Sequence, residues 1–194
     1  LWKAERWDPE RLVDLFARAG AKYFTPCAVH HDNFDLWNSR HHKWNSVEMG
    51  PRRDITGEWR EAALARGLRF GVTTHLARTW SWFATNKLAD RSGPKKGVPY
   101  DGNNPELRDF YLDPHPDTDR RHPRNPPESW RRHWAARIKD LIDNYHPDHL
   151  YFDGAIPFQG DDHGQTGLDV IAHLYNDSLA RHGGELEAVM CLSL

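Results

Sequence analysis

Apolar positions along this chain switch repeatedly between helical and strand periods. Leu12, Leu15, Phe16 and Ala19 recur at helical spacing behind "WDP". Asp8 offers a cap for the free N–H groups of a first turn, and Pro9 suits the first helical position. Gly20 suits the residue just past the helix end. "AKYFT" then reads as a strand over Lys22–Thr25, closed by Pro26. A long irregular stretch follows from His30 to about Asp54. A second helix is predicted over Ile55–Ala65, stopping at Gly67, and a second strand over Arg69–Thr74.

From about Ala84 to Pro127 the chain is polar and rich in Pro and Gly, with a short helix predicted near Pro105–Tyr111. Loops of this length in a compact domain are functional or disordered. A strong helix follows, with Ser129 read as its cap and Trp130, Trp134, Ile138, Leu141, Ile142 and Tyr145 on one face. "HLYF" predicts a third strand at His149–Phe152. A helix over about Leu168–Arg181 and a fourth strand in "LEAVMCLSL" complete the pattern.

Strict alternation of helix and strand implies a parallel sheet with helices packed outside it. No Gly-rich phosphate fingerprint follows any strand, which argues against a dinucleotide fold. Polar groups stand instead at the strand ends: His30 and His31 after the first, His75 after the second, Asp153 after the third. In a (β/α)8 barrel, that rim is where catalytic groups converge. The fold class expected is therefore α/β, a partial (β/α)8 TIM-like barrel. Four strands fall short of eight, so residues 1–194 read as one domain, an internal segment of such a barrel.

The bulk numbers narrow the partners. Lys and Arg total 26 and Asp and Glu 28, for a formal net charge of −2. That balance does not favour nucleic acid as the main partner. No apolar stretch approaches membrane-spanning length, and no signal peptide opens the chain. Cys27 and Cys191 are too few for a disulfide framework and read as buried thiols. The chain carries 9 Trp and 13 His, at a mean hydropathy of −0.84. Flat apolar faces with polar rims suit sugars, although most of the Trp are expected simply to pack.

Asp153, followed by Gly154, can face a pocket mouth as a nucleophile or base, or merely cap the next loop. His30 and His31 point to opposite faces of an extended backbone, which makes them a poor chelate for one metal. Past the strand end that alternation relaxes, and both can hydrogen-bond one polyhydroxylated ligand. His41–His42, a second pair, reads as surface. Trp37, Trp44, Trp80 and Trp82 lie in the loops after the first two strands, each a candidate wall for a sugar ring. Trp37 and Phe34 are expected to brace the first loop.

"HHDNFDLW", "WNSVEMGPRRDITGEW", "GLRFGVTTHL" and "HLYFDG" together resemble, in order, the α-L-fucosidases of glycoside hydrolase family 29. The resemblance covers essentially the whole chain. It implies a (β/α)8-like barrel that hydrolyses terminal α-L-fucosides with retention and requires no cofactor or metal. It implies Asp153 as nucleophile, His30 and His31 as contacts to fucose hydroxyls, and Tyr151 lining the pocket where Trp is common. His75 and Trp44 are taken as further substrate contacts. The implied partner is a fucosylated oligosaccharide or glycoconjugate, and the implied setting is secreted, periplasmic or lysosomal.

Three departures are visible. The family's "HHDGF" is "HHDNF" here, with Val29 in place of Lys. Thr73 and Thr74 stand where a tyrosine is common. None of Asp161, Asp162, Glu185 and Glu187 fits the general acid/base, which the family places beyond the nucleophile strand. Two other readings stand beside the main one: a non-catalytic sugar-binding segment, and a metallohydrolase built on His30, His31 and Asp153.

Overall fold

The computed structural model describes residues 2–119 and 123–193. Residues 120–122 of the long loop and Leu194 at the end of the last apolar run lie outside them.

Helix α1 spans Pro9–Arg18; Asp8 accepts from the Arg11 N–H at 3.0 Å, and Gly20 takes a φ of 96° just beyond the end. The first strand differs from expectation. It is two short pieces, β1 (Tyr23–Phe24) and β2 (Cys27–Val29), and both pair with the same neighbour. Pro26 interrupts this strand rather than ending it. Proline removes a donor but keeps its carbonyl, and the Pro26 carbonyl accepts from the Thr73 N–H at 2.9 Å. The strand therefore continues to Val29 and delivers His30 and His31 at its end.

Helix α2 covers Ile55–Leu64, capped by Asp54 through the Gly57 N–H at 2.9 Å. Strand β3 is Arg69–Thr74. Helix α3, Thr79–Ala84, has no counterpart in the sequence pattern. In the long loop, a 3-10 turn at Pro105–Leu107 leads into α4, Arg108–Tyr111, as the pattern predicts. Helix α5 spans Glu128–Tyr145 with Pro127, not Ser129, at the cap position. Ser129 sits inside the first turn, so the chain enters this helix earlier than its hydroxyl suggests. Strand β4 is His149–Phe152. Helix α6 runs Gln165–Arg181, starting ahead of the apolar periodicity, and β5 is Val189–Leu192.

All strand pairings are parallel, and neighbours in the sheet follow chain order, β1 and β2 beside β3, then β4, then β5. This is the arrangement of an arc of a (β/α)8 barrel. Helices cover one face. Phe70, Val72, Leu150 and Phe152 turn toward them and are buried. From α5 they meet Trp134, Ile138, Leu141 and Ile142, all but fully buried, and the Trp134 ring stands 5.5 Å from that of Phe152. Each such side chain contributes about 1.5–3 kcal/mol by leaving water. The opposite face presents Tyr23, Arg69, His149, Tyr151 and Cys191 along an open groove. Cys27 and Cys191 are free and half-buried rather than fully enclosed. Among the described residues, no helix is long and apolar enough to cross a membrane.

Candidate active site

The C-terminal ends of β2, β3 and β4 meet at one place. The His75 N–H donates to the Val29 carbonyl at 3.0 Å, and the Asp153 N–H donates to the Thr74 carbonyl at 3.2 Å. These two bonds set His30, His75 and Asp153 at the same level of the rim. Gly154 follows at a φ of 129°, a conformation that side chains disfavour, and turns the chain away behind the carboxylate.

Asp153 is the anionic centre. Its Oδ2 accepts from His75 Nδ1 at 3.0 Å and lies 3.3 Å from Arg78 Nη1. Burial alone would raise its pKa. The His75 hydrogen bond and the Arg78 charge outweigh burial, and the carboxyl sits below the ordinary range. It is ionised at neutral pH. Thr74, Ala77, Phe152, Ala155, Pro157 and Phe158 line a narrow cleft beside it. Sequence reasoning missed Arg78. Its position three residues after His75, in the turn leaving β3, was the available signal.

The histidines gather around this carboxylate. Ring centroids of His30 and His31 lie 4.2 Å apart, and those of His30 and His75 4.4 Å apart. The alternation of an extended backbone relaxes here, as expected past a strand end, because β2 stops at Val29 and the chain turns at His31–Asp32. His31 Nδ1 donates to the His75 carbonyl at 2.9 Å, and its ring stacks on Trp82 at 4.5 Å. Burial lowers the His31 pKa to about 4, with the charges of His30, His75 and Arg78 adding to it. Burial likewise lowers His75 against the pull of Asp153. Both rings are neutral at pH 7. A carbonyl and a carboxylate only accept, so both Nδ1 atoms carry the proton and both Nε2 atoms present a lone pair.

Tyr151 projects two residues before Asp153 into the open groove, beside His149 and Cys191. Trp44 packs its ring on Phe110 at 4.8 Å, and the Phe110 carbonyl accepts from Asn33 Nδ2 at 2.7 Å. Of the candidate acids, Asp162 binds the Thr166 backbone and hydroxyl and pairs with Arg131 at 3.2 Å. Glu187 pairs with Arg69 at 2.6 Å, at the other end of the sheet from Asp153.

Beneath the histidine loop lies a buried polar brace that sequence reasoning missed. Asp35 and Arg137, both fully buried, form a two-pronged ion pair, Nε to Oδ2 at 3.1 Å and Nη2 to Oδ1 at 2.5 Å. Burial pushes the Asp35 carboxyl upward, and the Arg137 guanidinium holds against it. Arg137 Nη1 also reaches Asn33 Oδ1 at 2.6 Å. Trp37 Nε1 donates to Asp140 at 3.1 Å, so Trp37 does brace the loop. His42 is buried, against the surface reading; its Nε2 bonds the Asn33 carbonyl at 2.8 Å, and burial lowers its pKa to about 3. Asn33 itself sits at a φ of 60°. Asn tolerates that conformation better than most other non-glycine residues.

A parallel α/β arc with its polar groups at the strands' C-terminal ends defines a barrel-type protein whose ligand site lies on that rim. The chain belongs to the alpha-L-fucosidase family, whose model matches residues 1–183. It is 30% identical to the tissue alpha-L-fucosidase of Rattus norvegicus over 176 residues, 90% of this chain and 31% of that protein. To the plasma alpha-L-fucosidase of Homo sapiens it is 29% identical over 185 residues, 93% of this chain and 32% of that protein. The crystal structure of Thermotoga maritima alpha-fucosidase in complex with fucose superposes with a TM-score of 0.62 at 29% identity. That match covers 97% of this chain and 36% of the other. The chain thus spans about a third of the length of the relatives it matches.

Proposed function

We propose that this chain carries the nucleophile side of a retaining exo-α-L-fucosidase site, acting on terminal α-L-fucose of fucosylated glycans. The observation that supports it is one ionised carboxylate, Asp153, held at a strand end by His75 and Arg78, with the neutral rings of His31 and His75 beside it. In this reading an Asp153 oxygen attacks the anomeric carbon as the glycosidic bond breaks. A second carboxylate, about 5–5.5 Å away, protonates the departing oxygen. The same group then takes a proton from a water whose oxygen attacks the anomeric carbon, breaking the ester to Asp153, releasing fucose and restoring the carboxylate.

His31 and His75 accept from sugar hydroxyls through Nε2, and His30 supplies a third contact. Trp82, stacked on His31, and Tyr151 offer apolar faces. Trp44 acts one step back, packing on Phe110, whose carbonyl holds Asn33. His75 also fixes the orientation of the carboxylate it touches. The fucose-bound Thermotoga maritima enzyme supports the choice of sugar.

The test is turnover of an aryl α-L-fucoside. Asp153→Gly is expected to lose turnover and to regain product formation with azide, which replaces the missing oxygen nucleophile. Full turnover by Asp153→Gly would remove Asp153 from the role. Fucose binding with no turnover by the unaltered protein would leave a sugar-binding role alone.

A further inference from the structure

Adjacent histidines on a strand are a poor chelate, but the fold adds a third. Nitrogen atoms of His30, His31 and His75, one from each ring, lie within 4.8 Å of one another. Two of these rings are already held as metal-binding histidines are held elsewhere. Such ligands donate their remote N–H to a carboxylate or a backbone carbonyl, which fixes the tautomer and aims the other nitrogen. Here His75 Nδ1 donates to Asp153 at 3.0 Å, and His31 Nδ1 donates to the His75 carbonyl at 2.9 Å. His30 is exposed and can turn to close the triangle. Three imidazoles with one open position is a donor set that suits zinc and its neighbours, at bond lengths of about 2.0–2.1 Å.

We propose that His30, His31 and His75 bind a divalent transition-metal ion, with zinc as the reference case. Asp153 acts from behind His75, to which it is hydrogen-bonded, and brings a negative charge to the site. Arg78, 3.3 Å from the same carboxylate, opposes the cation and keeps binding weaker than in a dedicated zinc site. The ion occupies the space assigned above to fucose hydroxyls, so metal and sugar exclude each other; this last point rests on the fucoside reading, while the metal site does not.

Titration of the full chain with zinc chloride, followed by calorimetry, is expected to show one saturable site. His30→Ala, at an exposed position with little bearing on folding, is expected to weaken binding about tenfold or more. His75→Ala should do the same, and Asp153→Asn should cost about tenfold from outside the coordination sphere. His41→Ala should bind as the unaltered chain does. Cobalt is expected to develop the visible absorption of a tetrahedral nitrogen-bound ion, and to lose it in His30→Ala. Absence of saturable binding, or unchanged binding in both His30→Ala and His75→Ala, would overturn the site. If saturating L-fucose leaves zinc affinity untouched while the histidine variants lower it, the metal site stands and the fucoside reading fails.

Discussion

The segment "HHDNFDLW" serves two regions of opposite character. Its first half faces the rim, where His30 is exposed and the Nε2 atoms of His31 and His75 keep their lone pairs available. From Asn33 onward it also faces the interior, where Asn33, Asp35 and Trp37 bond to Arg137 and Asp140. Both regions use charged groups near histidines. The interior region satisfies its polar groups internally, as buried charges must. The rim keeps donors and acceptors in reserve, and the energy of satisfying them is left to a ligand. The brace holds the loop so that the rim can remain incomplete.

Substitutions should separate the two regions. At the rim, Asp153→Asn is expected to lower fucoside turnover by about 10⁴-fold or more while shifting the denaturation midpoint little. A matching loss of stability would show that Asp153 belongs to the brace as well. In the interior, Arg137→Ala strands a buried carboxylate and is expected to cost about 3–5 kcal/mol of stability, read from denaturant unfolding. Replacing both partners, Arg137→Met with Asp35→Leu, should recover much of that loss, since no buried charge is then left alone.

Acid probes both regions at once. His31, His42 and His133 are held neutral by burial, at pKa values of about 4, 3 and 4. In the unfolded chain each titrates near pH 6.5, so the unfolded state takes up protons first as pH falls. Their stabilisation is present above about pH 6.5 and is lost progressively down to about pH 4 for His31 and His133 and about pH 3 for His42. Guanidinium midpoints should decline through that window by the equivalent of a few kcal/mol, since a tenfold difference in proton affinity is worth about 1.4 kcal/mol. A flat profile would mean that these rings are not buried as neutral groups. The smallest effect is at Asn33. Asn33→Gly relieves a positive φ but removes the hydrogen bonds to Arg137 and Phe110, and is expected to be less stable by about 1–3 kcal/mol. A more stable Asn33→Gly would show that the side chain adds nothing to the brace.

Much of the fold was legible because local rules decide it. Asp8, Pro9 and Gly20 bound α1 where they stand, and apolar runs place β3 and β4 to the residue. The misses are instructive. Pro26 reads as a strand end, yet only its missing donor matters locally, and its carbonyl keeps the ladder going. Ser129 reads as a cap, yet the helix starts at Glu128, one residue ahead of it. His41 is exposed as the surface reading has it, while His42 is buried, because the pattern does not reveal what packs over it. The position of Asp153 in "HLYFDG" was legible. Its pairing with His75 and Arg78 was not, since they lie 78 and 75 positions earlier and meet it only across the β3–β4 pairing.

By itself the sequence determined the alternation of elements, the parallel α/β class and the placing of polar groups at strand ends. Those follow from periodicity, capping and turn chemistry, which act over a few residues. Only the tertiary structure decided which of those groups meet. It turned two adjacent histidines to the same side, added His75 and Asp153 to them, and set Arg137 beneath Asp35. Such meetings depend on strand register and helix packing between segments dozens of residues apart, and no local pattern carries that distance.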